Sequence, residues 1–136
     1  ADQTGWTPFL AGLMLAQPGV REALHALSPH DWLLPMPLSA ERLGWRGYNQ
    51  AWELTRSLQG QSNCAAIADS ALLLRTRHTP AQRTLPRAER LANLDGAFAI
   101  DPLLAAEIRG RRIVLVDDVM TTGATAAACA LTLKRA

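Results

Sequence analysis

Apolar residues recur along this chain in two rhythms, short leucine-rich or β-branched runs and longer stretches spaced every three to four residues. Thr7 to Ala16 and Val20 to Ala26 carry the helical spacing on either side of Pro18 and predict two short helices. Asp31 to Leu34 predicts a first strand, ended by Pro35 and Pro37, and Asn49 to Leu58 predicts an amphipathic helix stopped by Gly60. Ser70 to Arg75 and Ala97 to Ile100 predict two further strands. Between them, Pro80 to Leu94 is mostly polar, with Leu85, Leu91 and Leu94 spaced for a partly buried helix. Pro102 to Ile108 predicts a helical turn. Ile113 to Val116 is an apolar run of the kind buried on both faces of a parallel sheet, and a helical pattern follows it to Ala136.

Strands alternating with helices argue for the α/β class, a doubly wound, mainly parallel sheet flanked by helices and joined by right-handed crossovers. A chain of 136 residues, 49% of them hydrophobic, suits one compact domain. Residues 1–30 are expected to form a helical cover over the sheet domain of residues 31–136. Trp6, Trp32 and Trp52 are expected to fill the core, and Cys129 to pack as a small apolar residue. Cys64 and Cys129 stand too far apart in sequence to suggest a disulfide framework or a zinc site. No apolar run approaches the roughly 18 residues needed to span a bilayer. Asp2 to Leu15 lacks the basic start and cleavage site of a signal peptide, so a cytoplasmic protein without membrane partners is expected.

The chemistry concentrates in Ile113 to Thr125, I-V-L-V-D-D-V-M-T-T-G-A-T. Asp117 and Asp118 fall at the carboxyl end of a strand, the edge at which open α/β sheets bind ligands. Thr121, Thr122, Gly123, Ala124 and Thr125 then lead into a helix whose first N–H groups and dipole suit a phosphate. Adjacent carboxylates accept hydrogen bonds from a vicinal diol, so the segment reads as a site for ribose hydroxyls and a 5-phosphate. A receiver domain also ends its first strand in an acidic pair. There, however, the acids open the domain, whereas here more than a hundred residues precede them.

This run resembles the thirteen-residue motif with which type I phosphoribosyltransferases bind phosphoribosyl pyrophosphate (PRPP). Arg42 to Gln50, R-L-G-W-R-G-Y-N-Q, and Arg77 to Phe98, R-H-T-P-A-Q-R-T-L-P-R-A-E-R-L-A-N-L-D-G-A-F, narrow the likeness. Together the three segments resemble the ComF/GntX family of competence-associated, phosphoribosyltransferase-like proteins, over roughly Leu33 to Ala136. The family often begins with a four-cysteine, zinc-ribbon-like segment, and no cysteine precedes Cys64 here. It also continues beyond the helix that follows the motif, so the fold is expected to lack its last C-terminal elements.

The net charge is only +2, but with Lys134 the single lysine, thirteen of the fourteen basic residues are arginine. That choice favours planar, bidentate recognition of phosphate or carboxylate. The resemblance implies that Arg42, Arg46 and Gly47 belong to a pyrophosphate-binding loop, and that Arg77, His78 and Arg83 belong to a loop that closes over PRPP. Arg75, Arg87 and Arg90 share this densest positive segment, opposed only by Glu89. Asn49 and Gln50 are placed to cap the next helix or to contact phosphate. Magnesium would be held mainly through PRPP and water, without a protein-only metal cage.

Two function classes follow. One is an enzyme that binds PRPP or ribose 5-phosphate with magnesium and transfers the phosphoribosyl group to a nitrogenous acceptor, with Asp117 and Asp118 at its centre. The other is a non-catalytic competence factor that binds single-stranded DNA or nucleotides, its arginines holding phosphates while Trp45 and Tyr48 stack on bases. An exposed sheet edge would invite a second copy of the chain, so a homodimer is expected.

Overall fold

The computed structural model describes residues 4–37, 49–75, 98–117 and 124–135. A single 310 turn, Thr4–Trp6, leads into helix α1 (Thr7–Leu15), followed by α2 (Val20–His25), strand β1 (Trp32–Pro35) and α3 (Gln50–Ser62). Strands β2 (Ile67–Ala68), β3 (Leu73–Arg75) and β4 (Phe98–Ile100) come next. A second 310 turn, Ala105–Ile108, precedes β5 (Ile113–Val116) and α4 (Ala124–Lys134).

Three strands form a parallel sheet in the order β2-β1-β5, with β1 in the middle. The register explains the core. Leu33 pairs with Val114 and Pro35 with Val116, while Trp32 pairs with Ile113 and Leu34 with Leu115. Successive side chains on a strand point to opposite faces, so these pairs alternate between two layers. On one face Leu33 and Val116 pack with Leu54 and Leu58 of α3, Ala11 and Leu15 of α1, and Leu24 of α2. On the other, Trp32, Leu34 and Met36 pack with Leu72, Leu73, Phe98, Ile108 and Cys129. A mixed α/β architecture with a parallel sheet and helical layers is thus present, in agreement with the class expected from the pattern.

Several expectations are corrected. Strands β3 and β4 do not extend the parallel sheet. They pair antiparallel with each other, Leu73 with Ile100 and Arg75 with Phe98, and cover one of its faces. In an antiparallel pair the N–H and C=O groups of each short strand are met directly by the other, so two three-residue segments satisfy one another. β3 begins at Leu73 rather than Ser70 because the Asp69 carboxylate accepts hydrogen bonds from the N–H groups of Ala71 and Leu72, which holds those residues in a turn. The helix expected over residues 80–94 lies outside the described residues.

Gly60 does not stop α3. The helix runs on to Ser62, whose hydroxyl donates to Leu58 O at 2.6 Å, and ends where Asn63 adopts a left-handed conformation at φ 53°. An exposed glycine costs such a helix only about 1 kcal/mol against alanine, and the turn beyond it is held by the buried Ser62 and its bond to Leu58 O. Trp6 is not in the core but 70% exposed, because the α1 positions facing α3 are Thr7, Ala11 and Leu15, leaving Trp6, Phe9 and Leu13 on the opposite side. Trp32 is buried as expected, and Trp52 is half-buried.

One carboxylate ties the amino ends of the strands together. Asp31 accepts from Ser28 N at 2.8 Å and from Arg112 N at 2.9 Å, while its own carbonyl accepts from Ile67 N. The Ser28 N–H, and after it that of Arg112, hold this carboxyl below its ordinary value of 3.8 against an opposing cost of burial. A depressed carboxyl stabilises the fold above its unfolded pKa, and that contribution is lost as pH falls through the folded value. Asp31→Asn should therefore destabilise the chain at pH 7, and the gap from the parent should close in urea titrations taken progressively below pH 3.8. A gap independent of pH would show that the hydrogen bonds act without the charge.

Candidate functional site at the carboxyl edge of the sheet

The carboxyl ends of β1 and β5 lie side by side. Met36 N, just beyond β1, donates to Val116 O at 2.7 Å, and the next residue on β5's side is Asp117. The chain leaves β1 through α3 toward β2 on one flank, while β5 occupies the other. That divergence is the arrangement in which open α/β sheets form a ligand crevice.

Asn49 stands at the same edge of the sheet. Its side-chain oxygen accepts from Ala51 N at 3.0 Å and caps α3, while its amide nitrogen donates to Met36 O at 3.1 Å. Of the two roles open to Asn49 in the sequence, capping is the one formed, and the cap also ties the amino end of α3 to the end of β1. Gln50 is the first residue of the helix.

Asp117, half-buried, follows β5 directly, and α4 begins at Ala124, inside the T-T-G-A-T run. Asp118, Thr121, Thr122 and Gly123 lie outside the described residues, as does the side chain of Thr125. The same holds for Arg42, Arg46, Gly47, Arg77, His78 and Arg83. The described frame thus brings the first acid of the motif, the start of the following helix and the capped end of α3 to one edge of the sheet.

An apolar cavity of about 530 Å³ adjoins Asp117 on the helical face, lined by Met14, Val20, Leu24, Leu58, Val114 and Val116 among others. Its walls are mainly apolar and so are unsuited to a phosphate. On the opposite face of the sheet, the Cys129 Sγ–H points at Met36 Sδ, 3.2 Å away. Burial pushes the Cys129 thiol up to about 12, eased by the Arg75 charge and reinforced by that of Asp117. Such a thiol stays protonated and packs as an apolar group, the role expected of it.

Arg75, one of the arginines of the positive segment, is the last residue of β3. Its guanidinium carbon lies 5.4 Å from the centre of the Phe98 ring. The signal was present in the spacing: Leu73 and Arg75 are two residues apart on a strand, and so share a face.

Comparison with known proteins supports the family likeness carried by the motifs. The DNA utilization protein YhgH of Escherichia coli strain K12 is 37% identical over 119 residues, 84% of this chain and 50% of that protein. Competence protein F of Haemophilus influenzae is 37% identical over 108 residues, 78% of this chain and 46% of that protein. YhgH of Salmonella typhimurium is 34% identical over 126 residues, 93% of this chain and 53% of that protein. The chain thus spans about half the length of the curated relatives it matches. No family model matches it, and no solved structure matches it significantly.

Proposed function

We propose that this chain is a ComF-type protein with a type I phosphoribosyltransferase fold, that it binds PRPP with magnesium at the carboxyl edge of the β1–β5 pair, and that it serves DNA utilisation in the cytoplasm. The observation that carries the reading is the motif itself, whose apolar run is β5, whose first acid follows that strand and whose T-T-G-A-T run leads into α4. In this reading Asp117 and Asp118 hold the ribose hydroxyls, and the N–H groups from Thr121 to Thr125 hold the 5-phosphate.

Magnesium takes oxygen ligands and gives up its water reluctantly. A half-buried carboxylate such as Asp117 is a donor of the right class, so the two acids would hold the ion through its waters, and the ion would supply charge neutralisation at the diphosphate. Transfer breaks the bond from C1 of the ribose to pyrophosphate and forms one to a nitrogen of the acceptor. The leaving group gains charge as it departs, and Arg42, Arg46 and Arg77 are the cations proposed to meet it. Closure of the segment around Arg77, His78 and Arg83 would keep water from the activated sugar.

A second reading draws on the names of the relatives, which speak of competence and DNA utilisation. In it the arginines of residues 77–90 bind the phosphates of single-stranded DNA and no group is transferred. Calorimetric titration with PRPP separates the two. Binding that requires magnesium is expected from the first reading. A folded chain that ignores PRPP yet binds an oligonucleotide with steep salt dependence would replace it with the second.

A further inference from the structure

We propose that the open edge of β5 pairs with the same edge of a second copy of this chain, antiparallel across a twofold axis centred on Val114. The surface is set by the sheet and not by the PRPP reading.

Strand β5 stands at one side of the parallel sheet and, among the described residues, pairs only with β1. It is as apolar as β1, yet Ile113, Val114 and Leu115 are half-buried where every residue of β1 is buried. The backbone shows which of its groups are left over. The carbonyls of Arg112 and Val116 accept from Trp32 N at 3.0 Å and Met36 N at 2.7 Å, so both point toward β1. These groups alternate in direction along a strand, and those of Ile113 and Leu115 therefore point to the open side. Edges of this kind are kept apart by a lysine, a proline or a charge within the strand, and Ile113 to Val116 carries none.

Charge selects the occupant and its register. The exposed Arg111 precedes the apolar run and Asp117 follows it, so the edge is positive at one end and negative at the other. A second copy turned by a twofold axis runs antiparallel and sets each end against its opposite. In such a ladder, residues directed outward on one strand face residues directed outward on the other. Centred on Val114, the axis places Ile113 opposite Leu115 of the second copy, Val114 opposite its own equivalent, and Arg111 opposite Asp117. Centring on Ile113 or Leu115 would instead set an apolar residue against a charged one. A carboxylate has about four acceptor positions, so the pair forms alongside the interactions Asp117 makes within its own copy. The faces agree as well, because Ile113 and Leu115 both lie on the Trp32 side of the sheet and Val114 on the side of α1 and α2.

The test is sedimentation equilibrium of the full chain for the parent, Arg111→Asp, and the charge swap Arg111→Asp with Asp117→Arg, joined by oxidative cross-linking of Val114→Cys and Leu103→Cys. Circular dichroism confirms the fold of each. A ladder this short makes a small interface, so the parent is expected to dimerise reversibly with a Kd on the order of 10 μM. Arg111→Asp should weaken the dimer about tenfold, because the pair occurs twice in each dimer and like charges then face one another. The charge swap should restore it. Val114→Cys should cross-link to itself under mild oxidation, since equivalent residues on the axis at a non-hydrogen-bonded position lie about 4.5 Å apart at Cα, within disulfide reach. Leu103→Cys, at a position 88% exposed but off the strand, should not, nor should the parent, whose Cys64 and Cys129 are buried. A parent that stays monomeric at about 100 μM would overturn the proposal. So would a dimer that ignores Arg111→Asp and gives no cross-link through Val114→Cys, since its contact would lie on another face.

Discussion

Asp117→Asn combined with Asp118→Asn is expected to remove magnesium-dependent PRPP binding, a loss of at least about a hundredfold, from a chain that remains folded. Each carboxylate that accepts from a ribose hydroxyl makes a charge-assisted hydrogen bond worth about 1.5–3 kcal/mol, so two of them exceed the 2.7 kcal/mol that a hundredfold represents. Asparagine keeps the volume and one acceptor oxygen but removes the charge, and its amide presents a donor to a hydroxyl that needs an acceptor. The fold should tolerate the change at Asp117 because that residue lies beyond the last ladder pair, Pro35 with Val116. Calorimetry measures the binding, and thermal unfolding followed by circular dichroism measures the fold. Unchanged affinity would remove the acids from the site. A large drop in melting temperature would mean that they serve the structure instead.

What makes this prediction possible was legible in the sequence because it depends on local order. A strand, two acids and a helix start within thirteen consecutive residues need no knowledge of distant partners, and β5 and α4 fall where the pattern puts them. The position of β1 was nearly as plain from its leucines, although Pro35, expected to end the strand, is its last residue and pairs with Val116, so that Pro37 alone lies beyond it. The roles of β3 and β4 were not. Three-residue strands carry too little alternation to distinguish a parallel neighbour from an antiparallel one, and only the pairing of Leu73 with Ile100 decides it.

The two-residue β2 was missed for the same reason: Ile67 and Ala68 have no periodicity, and their strand exists because Asp31 and β1 offer hydrogen-bonding partners from elsewhere in the chain. Trp6 misled because a tryptophan is the strongest apolar signal in its segment, yet the face of α1 that meets α3 is chosen by the small Ala11, which permits close approach. Within the site, Asn49 was readable as a cap from its place before a helix. Its second bond to Met36 O was not, because that depends on β1 and α3 being neighbours in space.

The two layers on either side of the sheet make a second large effect predictable. Leu33→Ala and Leu34→Ala should each cost about 3 kcal/mol in urea unfolding, within the range for leucine truncation in a packed core, since both side chains are completely buried. They are consecutive in sequence but not partners in packing. Leu33 meets Leu54 and Leu58 of α3, whereas Leu34 meets Met36, Phe98 and Cys129. Truncations without shared neighbours add, so the double variant should lose close to the sum, about 6 kcal/mol, with a coupling within about 0.5 kcal/mol. For a chain of 136 residues at about 0.05–0.15 kcal/mol per residue, that sum consumes much of the total stability. A coupling above about 1 kcal/mol would show that the backbone of β1 relaxes into either cavity and that the layers are mechanically joined.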